Sequence, residues 1–208
     1  MWDDRIGFPI MGHREELLDG AAQCLYDKGF GRTTARDVVA ASGTNLASIG
    51  YHFGSKDALL TEALLRATSA WGEELDRALA EPGTTPATDP DRRVEDTWSR
   101  VIGLFSTQRR LWATHVEALA QAERLPELRA KLAEAQREVR EGLALTFHTL
   151  PDDDPEAADR RVHVLGAVYQ ALLTGVMVQW MLDPDTAPTG VDVAEGLRAI
   201  AERADAFA

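Results

Sequence analysis

Eight residues, "NLASIGYH" (45–52), gather side chains able to read a polar surface without doing covalent chemistry. At helical spacing Ile49 and Phe53 share one face, and the side turned away from them shows Asn45, Leu46, Ala47, Ser48, Tyr51 and His52. Small and hydrogen-bonding groups on a helix of about two turns suit the major groove of duplex DNA, where base edges present donors, acceptors and thymine methyls. A bulky acidic face there would be repelled. Catalysis has no comparable set of residues. The chain lacks a phosphate-binding glycine loop, an HExxH pair and a GxSxG elbow. His13, His115, His148 and His163 are scattered without ligand spacing, and "PDDDP" (151–155) reads as an exposed acidic turn. No enzymatic activity, metal or cofactor is therefore expected.

The elements that position the short helix are helices as well. His13 to Lys28 repeats Leu17, Leu18, Ala21, Ala22 and Leu25 at helical spacing, and Gly29 ends it. Thr34 and Asp37 form a capping-box pattern for a second helix reaching about Ala41. Gly43 breaks that helix, Asn45 caps the third, Gly54 stops it, and Ser55 caps a long fourth helix to about Ala80. Two short helices about a tight glycine-containing turn make a helix-turn-helix, spanning about 34–53. After the loop "EPGTTPATDPD" (81–91), further helices fit 91–107, 109–122, 126–149, 155–182 and 191–206. No period-two pattern of β-branched residues occurs. The expected fold is all-α: an N-terminal three-helix unit followed by a larger helical bundle.

Composition narrows the partners. Over 208 residues the net charge is −12, which argues against a protein that coats nucleic acid indiscriminately. The first 56 residues nevertheless hold six Lys and Arg against seven carboxylates, so nearly all of the excess lies further along and this end can approach a polyanion. One cysteine, Cys24, excludes an internal disulfide and reads as a buried thiol. No run approaches 18 uninterrupted apolar residues, so no membrane span is expected. The start "MWDDRIGFPIM" lacks a signal-peptide pattern. A cytoplasmic location follows, with residues 1–11 as a flexible arm.

The stretch "LLDGAAQCLYDKGFGRTTARDVVAASGTNLASIGYHFGSKDALL" (17–60) resembles the DNA-binding domain of the TetR/AcrR transcriptional regulators. "KGF.RTT.RD", the "SG" turn and "YHFGSK.ALL" carry the resemblance in order and at the family's spacing. It implies that Thr33, Thr34 and Arg36 touch phosphates, aided by the helix N-terminus. It implies that Asn45, Leu46, Ala47 and Ser48 face base edges, and that Tyr51, His52 and Lys56 reach the backbone. His52 has a second reading, as filler in the seam between the third and fourth helices. Lys56 has one too, as an ordinary solvated charge. Gly50 stands where the family commonly has Tyr, and Leu46 where Lys is frequent. Fewer cations imply a shallower salt dependence.

The resemblance also divides the chain into a DNA-binding domain at 12–56 and an effector-binding and dimerisation domain at 57–208. Trp98, Phe105, Trp112, His115, Tyr169, Met177 and Trp180 are the candidate pocket lining, with His115, Tyr169 and Gln179 as polar anchors. The last two helices offer the small residues Gly166, Ala167, Ala171 and Gly175 together with Val191, Val193, Ala194, Leu197, Ile200 and Ala201 as a dimer face. The function so implied is a homodimeric repressor, released from a palindromic operator by a small apolar ligand. Two other readings stay open: a DNA-binding dimer without a small-molecule effector, and a helical carrier or enzyme keeping a relic helix-turn-helix.

Overall fold

A computed structural model describes residues 10–80, 90–147 and 155–205. The expected arm at 1–11 lies mostly outside them. The described residues form α1 (Ile10–Lys28), α2 (Ala35–Ser42), α3 (Leu46–Phe53), α4 (Lys56–Ala80), α5 (Pro90–Thr107), α6 (Arg109–Gln121), α7 (Pro126–Phe147), α8 (Pro155–Leu182) and α9 (Gly190–Asp205), with no strand among them. The chain divides into two compact units, Met1–Ala70 with Ala113–Ala135, and Trp71–Trp112 with Gln136–Ala208. α4, α6 and α7 each run from one unit into the other, so the partition is not a single cut after residue 56.

The first unit forms because short apolar stripes converge. Leu17, Ala21 and Leu25 of α1, Val38 of α2, Ile49 of α3 and Leu60 and Leu64 of α4 are all buried, with Phe30 filling the bend after α1. A Cβ on Gly20 would lie 2.8 Å from the Ser42 Cβ, so glycine lets α1 and α2 approach closely. Gly43 ends α2 at φ +67° and Gly54 ends α3 at φ +75°, left-handed values that a side chain tolerates poorly. Ion pairs join α1 to α4: Arg14 to Glu62, and Arg66 to both Asp19 and Glu15. These pairs are largely exposed and contribute little each. They orient the helices more than they hold them.

The second unit is built on rings. Trp98, Val101 and Phe105 line the buried side of α5. A Cβ on Gly190 would lie 2.5 Å from the Glu95 carbonyl oxygen, so the start of α9 comes against α5 only with glycine there. Thr189 and Asp192 cap α9 reciprocally: the Thr189 N–H donates to the carboxylate at 2.8 Å and the Asp192 N–H to the hydroxyl at 3.2 Å. The hydroxyl and amide of Thr189 hold the Asp192 carboxyl below its ordinary range.

α8 contains the most apolar long stretch among the described residues. Among the described residues, Asp159–Leu182 is long and apolar enough to cross a membrane by length and composition, with a mean hydropathy of 1.4. Isolated Gly, Gln and Thr residues interrupt the run without lowering its average much. Only about a fifth of that window (22%) is buried within the chain.

Candidate nucleic-acid interface

α2 begins with a complete capping box. The Asp37 N–H donates to Thr34 Oγ1 at 3.2 Å, and the Thr34 N–H donates to Asp37 Oδ2 at 2.9 Å. Lys28 Nζ adds a bond to Asp37 Oδ1 at 2.6 Å. The Lys28 hydrogen bond first, then those from Thr34, hold the Asp37 carboxyl far below the usual carboxylate range. A carboxylate at a surface meant for phosphates thus has its charge matched locally. Helix geometry leaves the Ala35 and Arg36 N–H groups directed out of the end of α2, and the Arg36 side chain is exposed beside them.

α3 shows the expected division. Ile49 is 4% exposed, whereas Leu46 is 53% and Tyr51 74% exposed. Ala47 and Gly50 share the open side, and Ser48 and His52 are half-buried at its margins. The Asn45 side-chain oxygen accepts the Ser48 N–H at 3.0 Å, so capping uses that oxygen and leaves the amide NH2 as the donor for a partner. The His52 ring sits edge-on to Tyr51, with centroids 4.9 Å apart. Arg14 lies over the Phe53 ring at 5.3 Å.

Two expected phosphate contacts are placed differently. Thr33 is 1% exposed, and its hydroxyl donates to the Gly29 carbonyl at 2.7 Å and lies 3.2 Å from that of Cys24. It ties down the bend between α1 and α2 and cannot meet a phosphate. Lys56 donates to the Thr33 carbonyl at 3.1 Å and pairs with Asp57 at 2.8 Å. Its ammonium braces the same bend from α4 while keeping an exposed edge. Cys24 is buried as expected, and burial pushes its thiol pKa up.

The bend has a further brace that the sequence did not show. Glu117 of α6 accepts the Phe30 N–H at 3.0 Å on one carboxylate oxygen and the Gly31 N–H at 2.8 Å on the other. A Cβ on Gly29 would lie 2.2 Å from that carboxylate, so glycine, at φ +82°, is needed there twice over. Thr114, one turn earlier on α6, donates to the Leu25 carbonyl at 3.1 Å. These contacts bridge nearly ninety residues of sequence to a backbone segment, which no local pattern announces.

Trp98, Phe105, Trp112, Tyr169, Met177 and Trp180 belong to the second unit, and His115 to the first. Rings of the second unit pack on one another. Trp71 stacks on Phe105 at 6.2 Å and meets Trp112 edge-on at 4.6 Å, with Trp180 against Phe105 at 6.4 Å. Phe147 stacks between Trp98 at 6.0 Å and Tyr169 at 4.8 Å. Arg109 lies over Trp180 at 5.5 Å and donates to the Met181 carbonyl at 2.7 Å, closing the end of α8. Gln179, expected as an anchor, is exposed and bonds within its own helix. Burial lowers the His115 pKa and raises that of the Tyr169 phenol. Trp71 was not anticipated. Its spacing from Leu64 and Leu75 on one stripe of α4 is the signal that places it inside.

The model for bacterial regulatory proteins of the tetR family matches residues 17–63, and that for the BetI-type transcriptional repressor C-terminal domain matches residues 90–205. The chain belongs to the TetR family of transcriptional regulators. As in that family, it is a DNA-binding regulator and not an enzyme. The HTH-type repressor AcnR of Corynebacterium efficiens is 26% identical over 164 residues, 78% of either chain. The HTH-type repressor KstR2 of Rhodococcus jostii is 42% identical over 53 residues, so the aligned part spans only about a quarter of that relative (26%). A crystal structure of the multidrug binding protein EbrR complexed with proflavin superposes with a TM-score of 0.58 at 24% identity, covering 90% of this chain and 98% of that one. At that identity the likeness concerns the fold.

Proposed function

We propose that this TetR-family regulator is a cytoplasmic homodimeric repressor that binds a palindromic operator and leaves it when a small apolar ligand binds. The observation that carries the DNA part is the exposed, uncharged face of α3 beside the exposed Arg36 at the capped start of α2. Asn45, Leu46, Ala47 and Ser48 meet base edges: the Asn45 amide and Ser48 hydroxyl by hydrogen bonds, Leu46 and Ala47 by contact with thymine methyls. Thr34, Arg36, Tyr51 and His52 hold the phosphate backbone, and Lys56 adds its charge. Residues 12–56 are the part that touches DNA, and 57–208 the part that pairs and senses.

Pairing is supported by α8 and α9. On α8 Val164 and Val168 are each 51% exposed and Leu182 80%, in a stretch whose exposed positions carry no charge, and Ile200 of α9 is 68% exposed. A second copy covers these side chains better than a lipid bilayer would, because a two-fold dimer sets two α3 helices on successive major grooves, about 34–36 Å apart. Gly166 has another role: a Cβ there would lie 2.1 Å from the Arg140 carbonyl oxygen, so it serves the packing of α8 on α7 within the chain. Val193 and Ala194 are likewise buried within the chain.

The effector reading rests on the second unit's rings. Among the described residues the buried Trp71 indole N–H has no hydrogen-bond acceptor. That is a costly state which a ligand carbonyl or ether could relieve. EbrR holding proflavin shows a related fold accommodating a planar ring system. A ligand favouring the state with displaced recognition helices draws the population off DNA, by no more than its differential affinity allows. Selection of retained duplexes from random oligonucleotides, with light scattering of the complex, tests the whole reading. An inverted repeat bound by two chains is expected, and the absence of any selected duplex would overturn it. Arg36→Ala should flatten the log–log salt slope by about one unit without altering the selected sequence.

A further inference from the structure

Apart from the DNA surface and the ring clusters, the first unit contains a half-open cavity of about 760 Å³. Small-molecule sites occupy roughly 300–1,000 Å³, so the space is of ligand size. One wall is the first three turns of α4, with Ala58, Thr61 and Leu65; the other is Leu125 with Leu128 at the start of α7. Thr61 spends its hydroxyl on the Asp57 carbonyl at 2.7 Å, so this wall offers an occupant mainly carbon.

Four charged residues are among those that line the cavity. Asp57, Glu62 and Glu127 stand there against Lys131. Asp57 is paired with Lys56 and Glu62 with Arg14, while the Lys131 ammonium is held by Glu134 at 2.9 Å. Glu127 makes no ion pair among the described residues. The space is thus an apolar cleft whose lining includes one carboxylate, Glu127, without an ion pair among the described residues.

We infer that this cavity binds an amphipathic organic cation, its apolar body between α4 and α7 and its charge at Glu127. The site is separate from the rings proposed for the effector, and its occupancy does not depend on that proposal. Its occupant lies against the helix that directly follows Gly54 and Ser55, the corner at the end of α3.

Tetraphenylphosphonium and tetraphenylborate, alike in shape and opposite in charge, test it by calorimetric titration into the full chain. One phosphonium should bind per chain, at least about tenfold more tightly than the borate, the discrimination expected of a close charge contact. Glu127→Lys, an exposed change, should abolish that preference. Leu65→Trp, shown folded by its circular dichroism and melting, should remove binding by filling the space. Equal binding of the two ions overturns the proposal. So does phosphonium binding that survives both substitutions but is lost on Trp180→Ala, which places the ion in the second unit. Phosphonium binding that appears only after residues 1–9 are removed gives the cavity to the chain's own N-terminus and equally overturns it.

Discussion

The exposed faces of α3 and of α8 with α9 both leave apolar side chains in water, and they differ in what interrupts them. On α3, Leu46 and Tyr51 alternate with Asn45, Ser48 and His52, and the capped start of α2 with its exposed Arg36 precedes them. From Val164 to Leu182 the exposed positions of α8 carry no charge and are mainly aliphatic, Val164, Val168 and Leu182 among them, whereas on α9 Ile200 stands among the exposed Asp192, Glu195 and Arg198. Exposure alone therefore names no partner. A face rich in donors suits base edges and phosphates, which are polar and charged; a mainly aliphatic one suits another aliphatic surface, where burial needs few matched hydrogen bonds.

The sharpest way to break that contrast is to charge the aliphatic face. Val168→Asp with Ile200→Asp should give monomers in light scattering and lower operator retention by roughly a thousandfold, because a lone half-site loses the gain from linked binding. A double variant that stays dimeric and on DNA would show that this face pairs with something else, and vesicle co-sedimentation of the wild type would then identify a membrane. Next in size is Phe105→Ala in the ring cluster, expected to cost about 3–5 kcal/mol in chemical denaturation, against about 0.5 kcal/mol for Leu46→Ala on the exposed face. The second change should instead alter which operators are selected. A smaller effect belongs to Glu117→Ala. Two backbone N–H groups lose their acceptor, and about 1–3 kcal/mol of stability should go with them, together with operator affinity.

The least effect is in the pH dependence of stability. Burial lowers the His115 pKa from its ordinary 6.5, so the unfolded chain takes up the proton first as pH falls. The contribution is complete above pH 6.5 and is lost progressively as the pH falls through the lower folded value. Melting temperatures of the wild type should therefore decline from pH 7 to pH 5 more steeply than those of His115→Gln. Parallel curves would show that His115 is not kept neutral by its surroundings.

Much of this molecule was legible without coordinates. Capping residues, glycine stops and apolar spacing are local, so Thr34, Asn45, Gly43 and Gly54 fixed α2 and α3 to within a residue of their positions. The open side of α3 followed from the same spacing, because a face is a property of one helix. Thr33 was misplaced for a reason of distance. Whether a threonine before a helix turns outward or inward depends on acceptors elsewhere, here the Cys24 and Gly29 carbonyls. Lys56 is similar, since the Thr33 carbonyl that engages it lies 23 positions back.

The sequence by itself determined the helical order, the helix-turn-helix and the family, because these depend on contacts a few residues long and on a motif read in line. The tertiary structure alone decided that Glu117 holds the bend after α1, that Gly166 serves α7 rather than a second chain, and that Trp71 of α4 packs against Phe105 and Trp112. Each of these joins segments far apart in the chain. Which of many possible long-range partners a side chain meets is settled only when the packed units exclude the rest.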